Sequence, residues 1–273
     1  HCPRGHHPAP RQKRYTQSVM VIGQEKGHGA EFRNGGLQTL GQRQARQFMR
    51  VAETEGIPVH TYIFTPGSYP IEDYPGAAQQ IARNIYCMAG LRVPVVTVIS
   101  EGGSGGAEAI GLADKRLMLS DGYYSVISPE GAAAIEGHCK GGQRPSMELI
   151  EKSRGQPQNH GSGQPRMGYI DKIIEEPAWR QTYHFDFFRK LRQEVLRATD
   201  EAVISARAMP FKSMAISRRN KPEANLDDMF MRWNLSSSDK DRLLRKRQNK
   251  FLKMSRQAAL DRRPLLKNNK RIG

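Results

Sequence analysis

The stretch from Val93 to Gly111 narrows the choice of fold sharply. Val93 to Ile99 is an almost unbroken apolar run, followed at once by Ser100-Glu-Gly-Gly-Ser-Gly-Gly-Ala-Glu-Ala-Ile-Gly111. A short apolar run bounded by turn residues reads as a strand buried on both faces. Gly102 to Gly106 then opens a helix expected to run through Ala113, because four glycines in five residues let the backbone turn sharply with no Cβ in the way. A buried strand that hands over to a helix through a glycine turn is the repeating element of α/β proteins.

The same unit recurs on either side. Ser18-Val-Met-Val-Ile-Gly23 reads as a buried strand followed by a glycine-rich, charged loop over Gln24 to Gly36. Gln42 to Glu55 carries Ala45, Phe48, Met49 and Ala52 at helical spacing and stops at Gly56 and Pro58, a C-terminal signal. Val59 to Phe64 resumes as a strand, Pro66 and Gly67 turn, and Ala77, Ile81, Ile85 and Met88 form the stripe of a second helix. Arg116–Leu119 and Tyr123–Ile127 are two further short strands, and Ser128, Pro129 and Glu130 start the next helix as N-cap, N1 and first-turn acid. The fold class is α/β with a mostly parallel sheet.

Beyond Glu136 the patterning weakens. A short helix near Met147 to Lys152, a structured stretch over Tyr169 to Ile174 and an amphipathic helix begun by Tyr183, Phe187, Leu191 and Val195 are expected, with further helices over Leu226–Trp233 and Asp239–Arg256. From Phe211 to Gly273 there are 18 Lys/Arg against 6 Asp/Glu, so most of the formal +16 of the 273-residue chain sits in this last stretch. Such a charge run reads first as a solvated face or a disordered segment. The expected organisation is a disordered arm over 1–16, a globular body over 17–209 and a basic, helical or disordered tail over 210–273.

Composition excludes other classes. Cys2, Cys87 and Cys139 are widely spaced and form no C-x-x-C, so neither a disulfide scaffold nor a cysteine zinc ribbon is indicated, and a reducing cytoplasm fits. The apolar runs fall far short of the roughly 20 residues of a membrane-spanning helix, and the N-terminus, which starts at His1, has no apolar signal core. His1, Cys2, His6 and His7 are metal-binding residue types, but an arm without fixed geometry offers no metal site.

The glycine-rich helix start places backbone N–H groups at the positive end of a helix dipole, a site for an anion or oxyanion made from main chain. No Gly-Lys-Ser/Thr follows, and Glu108 stands where G-x-G-x-x-G needs its third glycine, so nucleotide cradles do not fit. Gly102-Gly-Ser-Gly-Gly106 does satisfy G-x-S-x-G. A hydrolase reading would make Ser104 the nucleophile, with Asp114 or Asp121 and with His138, His160 or His184. A second turn, Thr65-Pro-Gly-Ser-Tyr-Pro70, ends the preceding strand. Adjacent parallel strands that end in glycine-bearing turns aim their N–H groups into one cleft, where α/β sheets bind ligands.

Val21-Ile-Gly-Gln-Glu-Lys-Gly27, Thr65-Pro-Gly-Ser-Tyr-Pro70, Ile81-Ala-Arg-Asn84, Val93-Pro-Val-Val96, Glu101-Gly-Gly-Ser-Gly-Gly-Ala107, Tyr124-Ser-Val-Ile-Ser-Pro-Glu-Gly131 and Gly168-Tyr-Ile-Asp-Lys-Ile-Ile-Glu-Glu-Pro177 occur in the order seen in the alpha subunit of bacterial acetyl-CoA carboxylase carboxyltransferase. The resemblance spans Val19 to Pro177. It implies a crotonase-like fold of repeated ββα units and an alpha2-beta2 assembly with a beta subunit. It also implies transfer of a carboxyl group from carboxybiotin to acetyl-CoA, giving malonyl-CoA for fatty-acid synthesis. The biotin would ride on a biotin carboxyl carrier protein rather than on this chain, and this chain would carry no metal. Carried over by position, the N–H groups of Gly105, Gly106 and Ser68 are the oxyanion donors, and Gly67, Gly102 and Gly103 are substrate-binding. Phe64 departs from the Asp that usually precedes Thr-Pro-Gly, Ile71 to Pro75 is a shortened loop, and Ala132 replaces a common Cys. Three rivals remain: a subunit of another biotin-dependent acyl-CoA carboxylase or decarboxylase, the Ser104 hydrolase, and a module that binds nucleic acid through the basic tail.

Overall fold

The computed structural model describes residues 17–25, 27, 35–67, 76–125, 129–138, 145–154, 168–176, 185–208 and 232–261. Five parallel strands lie in the order of the chain: β1 (Met20–Gly23), β2 (Val59–Thr65), β3 (Val95–Gly103), β4 (Lys115–Ser125) and β5 (Lys172–Ile174). Between them run α1 (Thr39–Glu55), α2 (Ala77–Gly90), α3 (Ser104–Glu108), α4 (Pro129–Glu136) and α5 (Met147–Arg154). Two helices, α6 (Phe185–Ala206) and α7 (Ser237–Asp261), follow.

Side-chain alternation along the strands sorts the helices into two layers. Val95 and Ile99 of β3, with Val59 and Ile63 of β2 and Met118 of β4, join Met49, Ala52 and Met88 of α1 and α2 in one core. The intervening Val96 and Val98, with Leu117 and Leu119, point the other way onto Val195 and Ala198 of α6. A parallel sheet covered on both faces needs strands that are apolar on both faces, which is why Val93 to Ile99 reads as a run rather than an alternation. The helix stop expected at Gly56 is present: Gly56 takes the left-handed conformation with φ 68°, and its N–H closes on Ala52 and Glu53.

Each of β2, β3 and β4 pairs in two stretches with an irregularity between them. On β3 against β4 the register passes from Ile99↔Met118 to Glu101↔Tyr123, so four residues of β4 face the single Ser100. The two short strands expected at 116–119 and 123–127 correspond to these two stretches, joined in one element as far as Ser125, and residues 126–127 lie outside the described residues. Gly122 sits in the offset, where a Cβ would lie 2.6 Å from the Ser100 carbonyl oxygen. Strand with break, then helix, recurring through β2, β3 and β4, is the repeat that the resemblance implies.

Four expectations are corrected. The helix placed from Gly102 to Ala113 spans only Ser104–Glu108, because Gly102 and Gly103 pair with Tyr124 and Ser125 as the end of β3. Phe48 of α1 stands 41% exposed rather than in the core stripe, and the buried positions are Gln42, Ala45, Met49 and Ala52. The basic stretch is not wholly a solvated face: α7 packs on α6 and α2, and its Leu243 and Arg247 are fully buried. Trp233, expected in a helix, lies in the segment entering α7, buried with Val203 and Ile204, and its indole N–H donates to Asp200 Oδ1 at 2.7 Å. The arm over 1–16, residues 226–231, and His160 and His184 lie outside the described residues.

Candidate functional site

The carboxyl ends of β1, β2 and β3 converge, and glycine is what allows it. A Cβ on Gly103 would lie 2.2 Å from the Pro66 carbonyl oxygen, so the turn after β2 and the end of β3 touch backbone against backbone. A Cβ on Gly102 would lie 2.6 Å from the Tyr124 ring, and one on Gly105 would lie 3.2 Å from Ile81 of α2. Gly67 has φ 138°, a conformation that L side chains rarely adopt. Buried Thr65 shapes that turn: its Oγ accepts the Gly67 N–H at 3.1 Å, and its hydroxyl lies 2.7 Å from Gly35 O and 3.0 Å from Gly67 O.

α3 is held firmly at its carboxyl end. Its first-turn amides, Gly105 and Gly106 among them, belong to the set that a helix N-terminus leaves without intrahelical carbonyls. At the other end the Thr61 hydroxyl donates to Ile110 O at 2.8 Å, and Thr97 donates to Thr61 at 2.7 Å. Arg116 is buried and donates to Glu108 Oε1 at 2.9 Å and to the Tyr124 hydroxyl at 2.6 Å. Its guanidinium also lies over the rings of Tyr124 and Phe251, so α7 reaches the support of α3. A helix locked in this way keeps its amides fixed without help from a ligand, which is the condition for electrostatic preorganisation.

Beside Gly106 opens a cavity of about 440 Å³, walled by the end of β1, by α1 and by Ala109 and Ile110. Gln24, Gln38, Gln42 and Gln44 supply amides, Phe48 and Leu37 apolar surface, and Glu25 the acid. Among the described residues no Lys or Arg lines it. Such a lining suits a neutral, hydrogen-bonding ring with an apolar arm better than a phosphate.

The structure brings Gly67, Gly102, Gly103, Gly105 and Gly106 together at the ends of β2 and β3, and Gly106 also walls the cavity. Ser68 lies outside the described residues, as does the side chain of Ser104. Asp114, one acid proposed for a triad, is taken: both carboxylate oxygens pair with Arg247, at 2.9 and 2.6 Å, and Oδ2 also accepts the Val95 N–H. Asp121 N–H donates to Glu176, and His138 is exposed at φ 49°. Among the described residues no group of three or more His, Cys, Asp or Glu is placed to hold a metal, and no helix is long and apolar enough to cross a membrane.

Sequence reasoning missed Gln24, Thr65 and Arg116. Gln24 is the first residue after an expected strand, at the end of the sheet where ligands bind, and that position was the available signal.

A sequence profile of the family described as acetyl co-enzyme A carboxylase carboxyltransferase-like matches residues 12–225. The chain is 37% identical over 218 residues to a protein of Thiobacillus denitrificans named acetyl-coenzyme A carboxylase carboxyl transferase subunit alpha, covering 76% of this chain and 64% of that one. It is 43% identical over 171 residues to the protein of the same name from Hydrogenovibrio crunogenus, covering 59% and 51%. Among solved structures, a transcarboxylase 12S chain superposes with a TM-score of 0.48 at 19% identity, covering 77% of this chain and 35% of that one. The chain thus spans less than two thirds of the length of these curated relatives.

Proposed function

Because the chain belongs to the acetyl-CoA carboxylase carboxyltransferase-like family, we propose that it forms the biotin side of a carboxyltransferase, acting with a beta subunit in an alpha2-beta2 assembly on acetyl-CoA to give malonyl-CoA in fatty-acid synthesis. The observation that carries the reading is the backbone contact of Gly103 with Pro66, which sets two glycine-bearing turns side by side next to a cavity free of cations among its described residues. Carboxybiotin, brought by a separate carrier protein, supplies a carboxyl group on a ureido nitrogen, and its departure leaves negative charge on the ureido oxygen.

The chain's own part is positional. The N–H groups of Gly105 and Gly106 donate toward that oxygen, with the Ser68 N–H as the donor from the facing turn. Gly67, Gly102 and Gly103 form the wall against which substrate lies, since their missing Cβ atoms let the turns approach. The amides of Gln38 and Gln44, with Phe48, hold a polar ring and its arm in the cavity. No side-chain nucleophile takes part, so Ser104 serves as a turn residue. The engagement of Asp114 with Arg247 supports this over the hydrolase reading. The same reading sets the work in the cytoplasm, with no metal on this chain.

The test is carboxyl transfer in the reverse direction, from malonyl-CoA to biotin, with the chain mixed with a candidate beta subunit, and complex formation followed by sedimentation. Activity appears only in the mixture, and Gly106→Val, whose branched side chain displaces the N–H it still carries, lowers it about 100- to 1,000-fold, as for loss of one oxyanion donor, while the complex still forms. Equal activity of Gly106→Val and the parent would refute the assignment. A preference for propionyl-CoA over acetyl-CoA in the forward direction would move the chain to a related acyl-CoA carboxylase.

A further inference from the structure

Gln24 makes three hydrogen bonds at the carboxyl end of the sheet, one through its backbone and two through its side-chain amide. Its backbone N–H donates to Tyr62 O at 3.1 Å and continues the pairing of β1 with β2. Its side-chain Oε1 accepts the Phe64 N–H at 3.1 Å, and its Nε2 donates to Gly106 O at 3.2 Å. One primary amide therefore ties the end of β1, the break in β2 and the first turn of α3.

We propose that Gln24 is a positioning residue that sets the direction of the Gly106 backbone, and through it the N–H aimed at the developing charge. The proposal rests on the functional reading above, although the positioning itself can be measured without it. α3 is only five residues long, and the N–H of Ile110 turns back to Ala107 O at 3.3 Å, so the Gly106 carbonyl is met by a side chain instead of by the next turn. Gly105 and Gly106 are adjacent and carry no Cβ, so little in the local chain restricts their φ and ψ. The plane that carries the Gly106 N–H is held on one side by the Ala109 N–H, which donates to Gly105 O at 2.9 Å, and holding the Gly106 carbonyl restrains ψ on the other side, so that the two bonds together set the direction of that N–H. The Gln24 side chain is itself held by β2, so the restraint costs little further ordering.

The chemistry calls for one donor and one acceptor on the same planar group. Glutamine supplies both. An ionised glutamate keeps the acceptor for Phe64 but sets an oxygen against the Gly106 oxygen, whereas a protonated glutamate again has one O–H donor. Gln24→Glu is thus a nearly isosteric variant whose defect depends on pH through the protonation of that carboxyl.

The experiment has two arms on the full chain. In the first, ¹⁵N order parameters and Gly Cα shifts are recorded for Gly105 and Gly106 in the parent, Gln24→Ala and Gln24→Glu, with thermal unfolding confirming that each folds. Order at Gly106 should fall from the rigid range near ~0.85 toward ~0.6 in Gln24→Ala, and in Gln24→Glu at pH 8 but less so at pH 5. In the second, reverse transfer with the beta subunit should lose on the order of 10- to 100-fold in kcat with KM for biotin little changed, and Gln24→Glu should recover toward the parent as pH falls. Unchanged order at Gly106 would overturn the proposal, and so would a rise in KM with kcat intact, which would make Gln24 a direct substrate contact. Loss of order with unchanged transfer would uphold the positioning and sink the oxyanion role of Gly106 instead.

Discussion

Arg247→Met should destabilise the protein by about 3–5 kcal/mol, the range seen when one partner of a buried ion pair is removed. The Arg247 side chain is fully buried and all its N–H groups are used. It donates to Met88 O, Leu91 O and Val93 O, each at 2.8 Å, and to both oxygens of Asp114. Methionine fills much of the stem but leaves three carbonyls at the end of α2 without this donor and Asp114 as a buried carboxylate. Asp114 then keeps the Val95 N–H at 2.8 Å, too little to offset the lost charge. A second substitution, Asp114→Asn, removes that charge, so the double variant should be less destabilised than the sum of the two single ones by about 2 kcal/mol, measured as a coupling energy. Urea unfolding of the full chain reads these values directly. Melting temperature should fall by roughly 10 °C, from about 2–4 °C per kcal/mol for a chain of this size. A loss under about 1 kcal/mol, the value of an exposed pair, would mean that α7 does not dock and would return the basic stretch to the solvated role its charge suggests.

Two further tests address the site and the sheet. Gly103→Ala forces a Cβ to within 2.2 Å of the Pro66 carbonyl oxygen, and both atoms belong to backbone. It should cost roughly 1–3 kcal/mol and cut carboxyl transfer about 100-fold by separating the turns, whereas Gly41→Ala, with nothing within 4 Å in the first turn of α1, should stabilise by up to about 1 kcal/mol. His60 is buried between β2 and α6, with Nε2 2.9 Å from Thr199 Oγ, and burial lowers its pKa to about 4. A folded-state value below the unfolded one means that the neutral form favours the fold, so its stability is complete above about pH 6.5 and is lost as pH falls toward 4. Between pH 7 and pH 5 urea unfolding should show a loss of about 2 kcal/mol that His60→Asn lacks, and an identical slope in the variant would refute this.

The alternation of strand and helix through Ile174 was legible because it rests on local signals. Val93 to Ile99, Gly56 after α1, and the stripe of Ala77 and Met88 each act within a few residues of themselves. The end of β3 was not legible in this way. Gly102 and Gly103 favour a turn by composition, yet pairing with Tyr124 and Ser125 some twenty residues onward draws them into the strand and shortens α3. Phe48 was misplaced for a related reason. It sits on the apolar stripe of α1 but faces the cavity beside Gly106, whereas polar Gln42 takes a core position. In α7 the charge count concealed the single buried arginine, since neither Asp114 nor the carbonyls it binds are near in sequence.

The candidate site was readable only in its backbone half, and the physics of that kind of site explains why. Glycines announce where main chain comes close to something, but they do not say what holds it there. Every restraint on α3 comes from elsewhere: Gln24 from the end of β1, Thr61 and Thr97 from the middle of β2 and β3, Arg116 from β4, and through Arg116 the Phe251 ring of α7. Donors that must not reorganise during reaction need such a shell, because two adjacent glycines have little stiffness of their own. It follows that substitutions at Arg116 or Phe251, although removed from any substrate, should act on kcat more than on KM. The sequence thus marks the proposed donors through their lack of side chains, while the rigidity that would make them useful is set by residues whose separation along the chain hides their common purpose.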